Sequence, residues 1–220
     1  PDISSVNLVQ RVSAAETSAC KTFVPQKRPG AEKVAVIDFG TKLNILRCLE
    51  RQDLEVAVFP STSTLADLLG KGISGVVLSN GPGDPAAVTS GISLARELIR
   101  HNEKHYLPVM GICLGHQLLG LGAGAETFKL KFGHHGSNQP VRNLQTGRIE
   151  ITSQNHNYSV NVPQISRDFE VTHVNLNDQT IEGMRHRKYP VFSVQYHPEA
   201  APGPHDAGYL FSSFRELIHA

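Results

Sequence analysis

A short apolar run, residues 107–112, ends in Gly111-Ile112-Cys113-Leu114-Gly115 and passes at once into a helix-like run over 114–121. No other stretch limits the fold so tightly. A strand that reverses into a helix through Gly-x-Cys-x-Gly has the layout of a nucleophile elbow, with Cys in the place of Ser. The turn crowds its flanks, and glycine two places before and two places after removes the side chains that would collide. The cysteine then projects at the end of a sheet, over a helix N-terminus whose partial positive charge favours thiolate. The competing reading is a buried structural Cys in a turn, and the surrounding chain has to decide between them.

Upstream, strand and helix patterns alternate four times. Residues 34–38 read as a buried strand, and 42–51 carry Leu43, Leu46 and Leu49 at helical spacing. A strand over 54–59 precedes a short helix over 63–69. A third strand, 75–78, runs into Ser79-Asn80-Gly81-Pro82-Gly83-Asp84-Pro85, and 87–102 form a helix with Ile92, Ala95, Leu98 and Ile99 inward. This alternation predicts an α/β fold with a mostly parallel central sheet covered by helices on both faces. Ligands of such sheets bind beyond the carboxyl ends of the strands, where Cys113 and the 81–83 loop both fall. After Gly124 the texture changes to short alternating runs (127–132, 148–152, 169–175, 180–184, 191–195), which predict a smaller antiparallel sheet in the C-terminal half. A last helix is expected over 206–218. Residues 1–32 read as peripheral, with a short amphipathic helix over 7–15 and a linker over 22–32.

Composition narrows the function classes. The 220 residues suffice for one α/β domain with a full core. The net charge of +1, with scattered basic residues, gives no electrostatic case for nucleic acid or an anionic membrane. No apolar run approaches the ~20 residues that span a bilayer, and the N-terminus lacks a signal-peptide pattern. Cys20, Cys48 and Cys113 are too few and too far apart for a disulfide framework, so a reducing, cytoplasmic setting is expected. Among the eleven histidines, His101 and His105 stand i,i+4 without the Glu of a zinc-protease helix. His134 and His135 are adjacent and would point opposite ways on a strand. No metal site is expected.

A cysteine nucleophile needs a base, and the base an orienting partner. Gln195-Tyr196-His197-Pro198-Glu199 follows the apolar strand over 191–194 and supplies both: His197 as general base and acid, Glu199 on its other ring nitrogen. Alone the segment reads rather as a surface loop with an incidental His and Glu; beside the elbow it reads as catalytic. The amide of Leu114 is one candidate oxyanion donor, and Gly83, in a loop stiffened by prolines, is the second. That loop lacks the Lys-Ser/Thr of a phosphate cradle. Residues 131–138 and 153–158 are rich in Gly, His and Asn, and read either as turns between antiparallel strands or as a polar pocket wall.

Five segments, SNGPGDP (79–85), GICLGHQLL (111–119), KFGHHG (131–136), SQNHNY (153–158) and QYHPEA (195–200), together resemble the class I (triad) glutamine amidotransferase family. They occur in family order and span 33–219. Through FGHHGSNQPV (132–141) and HPEAAPGPHD (197–206) the resemblance is closest to the small, glutamine-hydrolysing subunits of carbamoyl phosphate synthetases. It implies a flavodoxin-like α/β fold for 33–220, with 1–32 as the end of an N-terminal domain plus linker. The chain opens on Pro rather than Met, so a longer upstream domain is expected, one that would also complete the pocket.

The resemblance further implies that Cys113, His197 and Glu199 hydrolyse L-glutamine through a thioester, with Leu114 and Gly83 as oxyanion donors. Gly81, Gly83, Leu114, Gln117, Asn155, Asn157 and Tyr158 would contact the substrate. Asn157 departs from the family, which carries Gly there; Asn tolerates positive φ better than most residues. The ammonia would pass to a large synthetase subunit, which would bind ATP and Mg, so no cofactor is expected on this chain. Other readings are a glutaminase subunit of a different amidotransferase, a γ-glutamyl hydrolase-like cysteine hydrolase, and an inactive regulatory subunit. The Pro-Gly-Pro-His-Asp stretch argues against the first, the intact Cys113, His197 and Glu199 against the last.

Overall fold

The computed structural model describes residues 6–19, 30–161, 167–201 and 203–220. Cys20, most of the expected linker and Pro202 lie outside them. In chain order the elements are β1 (Ser18–Ala19), β2 (Lys33–Asp38), α1 (Leu43–Glu50), β3 (Glu55–Pro60), α2 (Leu65–Leu69), β4 (Gly75–Leu78), α3 (Thr89–His101), β5 (Val109–Ile112), α4 (Leu114–Gly122), β6 (Thr127–Asn143), β7 (Ile149–Val160), β8 (Phe169–Asn175), β9 (Ile181–His186), β10 (Val191–Val194) and α5 (Tyr209–Ile218).

All ten strands join one sheet in the order β1-β3-β2-β4-β5-β10-β9-β8-β6-β7. The pairs β3–β2, β2–β4, β4–β5 and β5–β10 are parallel. The antiparallel strands continue the same sheet from β10 outward. Side chains of β2 alternate between the two faces, as a strand covered on both sides must. Ala35 and Ile37 pack with Leu68 of α2, Leu94 and Leu98 of α3, and Leu114, Leu118 and Leu119 of α4. Val34 and Val36 pack with Ile45, Leu46 and Leu49 of α1 and with Leu210, Phe211 and Phe214 of α5. Burying a Leu or Phe in this way is worth about 1.5–3 kcal/mol each, so the two helical layers hold the parallel strands in register.

Register decides where the chemistry falls. Val194 of β10 pairs with Ile112 of β5, and Leu78 of β4 with Gly111. Ile37 of β2 pairs with Leu78. Four parallel strands therefore end side by side, and the residues that follow them meet at one edge of the sheet.

Three expectations change. Of the two readings of residues 131–138 and 153–158, the turn reading falls: they lie within β6 and β7, where His134 pairs with His156 and His135 with Asn155. Residues 8–11 form a single 3-10 turn in place of the amphipathic helix over 7–15. The described residues before β2 are not wholly peripheral either: Val9 is 1% exposed and sits in the core. Among the described residues, no helix is long and apolar enough to cross a membrane.

Candidate active site

The elbow forms as the glycine spacing requires. Cys113 is the N-cap of α4 at φ 53°, ψ −101°, one of three non-glycine residues with positive φ among those described. A Cβ on Gly111 would fall 2.7 Å from Leu119 Cδ1 and 2.8 Å from the Gly115 carbonyl oxygen, and one on Gly115 would run into Leu78 O. The Cys113 N–H donates to Val194 O at 2.9 Å and the Gly115 N–H to Ser79 O at 3.0 Å. The turn is thus bonded to both neighbouring strand ends. Backbone held so firmly can keep a strained φ where a reactive side chain needs it.

His197 follows β10 and is buried, its N–H donating to Ser153 O at 2.9 Å. Its Nδ1 lies 2.8 Å from Glu199 Oε1, which leaves Nε2 for the Cys113 sulfur. Burial alone would pull the imidazole down, but the Cys113 sulfur and the Glu199 carboxylate carry it up to about 9. Burial would raise the Glu199 carboxyl, and the His197 bond, the His197 charge and the Lys42 charge hold it below its ordinary value instead. The geometry sets the His197 imidazole between the Cys113 sulfur and a buried carboxylate.

Lys42, absent from the residues that spacing singles out, places its Nζ 3.4 Å from Glu199 Oε1 and 3.1 Å from His197 Nδ1. Two residues on, Asn44 Nδ2 donates to the Glu199 carbonyl oxygen. The only sequence signal for Lys42 is its place just past β2, one of the four adjoining strand ends.

A cavity of about 570 Å³ opens over the sulfur. It brings together Cys113 and His197 with Gly81, Gly83, Gln117, Asn155, Asn157 and Tyr158, and adds Lys42, Asn80, Pro82, Asp84, Lys129 and His156. Leu114 contributes from below. Its side chain is buried against Gly81, where a Cβ would meet Leu114 Cδ2, while its N–H is among the N-terminal amides of α4 that have no intrahelical partner. Gly83 takes φ +96°. Gln117 Nε2 donates to Tyr158 O at 2.8 Å and to Gln195 Oε1 at 3.0 Å, which fixes the amide at the cavity floor. Asn155 Oδ1 meets His135 Nδ1 at 3.0 Å. Asn157 has no positive φ, so its position asks nothing of the backbone that an ordinary residue lacks.

Behind the wall, His134 and His135 do point opposite ways. His134 Nε2 meets Asp178 Oδ2 at 2.8 Å, and its Nδ1 lies 3.3 Å from Glu182 Oε1. His134, His156 and Glu182 bring possible metal-ligand atoms within 4.8 Å of one another. Hydrogen bonding to Glu182 leads the effects that push His134 up to about 9, and the Asp178 contact adds to it. Burial instead pushes His156 down to about 3, with Nδ1 on Tyr158 O. His101 ends α3 and stacks on His105 just beyond it, at 4.6 Å between ring centroids.

Comparison with known proteins adds three findings. The model of the family "Glutamine amidotransferase class-I" matches residues 35–217. The carbamoyl phosphate synthase small chain of Chlorobaculum tepidum is 49% identical over 218 residues, covering 99% of this chain and 58% of the relative. That of Desulfovibrio desulfuricans is 54% identical over 212 residues, covering 96% and 54%. The chain thus spans about half the length of the relatives it matches. Among solved structures, a Thermoplasma acidophilum protein provisionally assigned to GMP synthase superposes with a TM-score of 0.74 at 21% identity, covering 87% of this chain and 96% of that one. At that identity the likeness speaks for the fold.

Proposed function

The chain belongs to the class I glutamine amidotransferase family, and from that premise we propose that it is the glutaminase part of a carbamoyl phosphate synthetase. One observation carries the reading. The adjoining ends of β5 and β10 bring Cys113 to His197–Glu199 inside a cavity that also holds Gly83 and the start of α4.

In this reading the Cys113 thiolate attacks the side-chain carboxamide carbon of glutamine. The oxygen that becomes negative meets the Leu114 and Gly83 N–H groups. His197 gives its proton to the leaving nitrogen, ammonia departs and a γ-glutamyl thioester remains. Water then attacks, His197 takes its proton, and collapse releases glutamate and restores the thiolate–imidazolium pair. Gln117, whose Nε2 is already committed, presents Oε1 to the substrate ammonium, and Asn155, Asn157, Tyr158 and Gly81 line the rest.

In this reading the ammonia is handed to a large synthetase subunit that binds ATP and Mg, and no cofactor is proposed for this chain. The relatives are named small chains, which supports a partner of that kind. A reducing cytoplasmic setting suits a catalytic thiol.

The test is glutamine hydrolysis with and without the synthetase, in wild type and Cys113→Ser. Slow release alone, faster release with the partner and a loss of about a thousandfold or more in the variant are expected. Hydrolysis surviving in Cys113→Ser overturns the nucleophile assignment. Hydrolysis indifferent to any synthetase, with γ-glutamyl peptides cleaved, points to a free-standing hydrolase.

A further inference from the structure

The proposed reaction needs His197 to hold one pose against Cys113, yet His197 stands in a connection between β10 and α5. Both ends of that connection are tied down. Beside His197, Tyr196 is wholly buried and points its hydroxyl at Glu150 Oε2, 3.4 Å away. Glu150 lies on β7, three residues before the Ser153 carbonyl that binds the His197 N–H. Its other oxygen, Oε1, accepts from the Tyr209 hydroxyl at 3.0 Å, and Tyr209 is the first residue of α5. Tyr209 in turn accepts from Asn143 Nδ2 at 3.1 Å. Three residues before Tyr209, Asp206 Oδ2 accepts from the Ile151 N–H at 2.9 Å. Two adjacent residues of β7 thus hold the segment that carries His197 and Glu199 at its start and at its finish.

A carboxylate is an expensive group to bury, and well-packed apolar side chains of similar volume often stabilise as well or better. What the carboxylate adds is direction: two oxygens fix two phenols at set positions, which apolar contacts do not do. We propose that Glu150 is a positioning residue for the reaction, setting through Tyr196 and Tyr209 where the 196–209 segment rests on β7 and hence how His197 faces Cys113. The proposal rests on the glutaminase reading above for its kinetic arm only.

The experiment compares Glu150→Leu, Glu150→Gln, Tyr196→Phe and Tyr209→Phe in the intact enzyme with its partner. It reads kcat and KM for glutamine, the pH profile of Cys113 alkylation by iodoacetamide, and the thermal midpoint. Glu150→Leu, Tyr196→Phe and Tyr209→Phe should each lower kcat about tenfold with KM held within about twofold, because a small misaim costs rate more than binding. Their alkylation profiles should shift, since the Cys113–His197 pair is disturbed. Glu150→Gln, which can still accept from one phenol and donate to the other, should stay within about threefold of wild type. Wild-type kcat and a wild-type alkylation profile in folded Glu150→Leu and Tyr209→Phe overturn the proposal, whatever the thermal midpoint does. If Glu150→Leu does not fold, Tyr209→Phe, which removes one hydroxyl, decides by the same two readouts. A wild-type enzyme that alkylates at Cys113 but leaves glutamine intact refutes the glutaminase reading instead, and the alkylation arm still judges Glu150.

Discussion

Cys113 and Asn157 make opposite demands on the backbone. At φ 53°, ψ −101° Cys113 lies outside the left-handed helical well, in a conformation that residues other than glycine rarely adopt, and the bonds to Val194 O and Ser79 O on either side sustain it. Asn157 stands where the resemblance leads one to expect Gly, and its backbone lies outside the left-handed region. Its Oδ1 instead lies against Gly133, 2.6 Å from where a Cβ there would be. Asn157→Gly should therefore keep KM for glutamine within about twofold, the effect of losing a peripheral contact; a sharp rise would show that the Asn side chain itself holds substrate. His197 and His134 support a second prediction. Both are carried from the ordinary 6.5 up to about 9, so the fold binds their protons more tightly than the unfolded chain does. The stability they contribute is fully present below 6.5 and is lost as pH rises through about 9. Thermal midpoints measured from pH 6 to 10 should fall over that window in wild type, and His197→Asn or His134→Asn should each make the fall shallower.

At the scale of elements, the helix–strand contact at the elbow allows no added atom. A Cβ on Gly115 would strike the Leu78 carbonyl oxygen, which belongs to the backbone of β4 and has nowhere to go. Gly115→Ala should thus cost about 3 kcal/mol or more in urea unfolding, at the upper end of overpacking effects, and a smaller loss would mean that α4 can slide on β4. This glycine was legible from the sequence because sterics at an elbow leave no alternative. The parallel strands were legible too: β4 and β5 are buried throughout and read as continuous apolar runs bounded by turn residues. The reach of β6 and β7 was not. Each was seen only as a short run, yet they extend through KFGHHG and SQNHNY, with register shifts between Lys129 and His134 and between Gly136 and Gln139. Bulges break the period of two that reveals a strand, and backbone pairing can carry glycine- and histidine-rich sequence as readily as any other. Of the candidate site, Cys113 announced itself through its glycine spacing, and His197, Glu199 and the glycine loop only once set beside that elbow in an α/β chain. Lys42 and Glu150 did not, because a Lys before an amphipathic helix and a Glu in an alternating strand are ordinary residues until the topology sets them beside His197.

Across the whole molecule, the segment before β2 packs on the core and behind one loop of the site. Val9 is buried with Phe39 and Val88 in the core on the α3–α4 face. The Ala14 N–H donates to Asp38 Oδ2 at 2.7 Å, and the Ser61 N–H to Ser13 Oγ at 2.8 Å. β1 then pairs with β3, covering part of an otherwise open sheet edge. The consequence reaches the chemistry through Leu8, whose Cβ, Cγ and Cδ1 stand 3.6–3.7 Å from where a Gly83 Cβ would be. Leu8 therefore backs the loop whose amide is proposed to receive the oxyanion. Two variants separate its role from general packing. Val9→Ala, which hollows the core, should cost about 2 kcal/mol in urea unfolding and leave kcat for glutamine close to wild type at temperatures where the protein is folded. Leu8→Ala should cost less stability but lower kcat about threefold with KM little changed, since an oxyanion donor acts mainly in the transition state. If Leu8→Ala lowers stability alone, the segment is a clasp on the fold; a kcat effect without a matching stability loss makes it a wall of the catalytic loop.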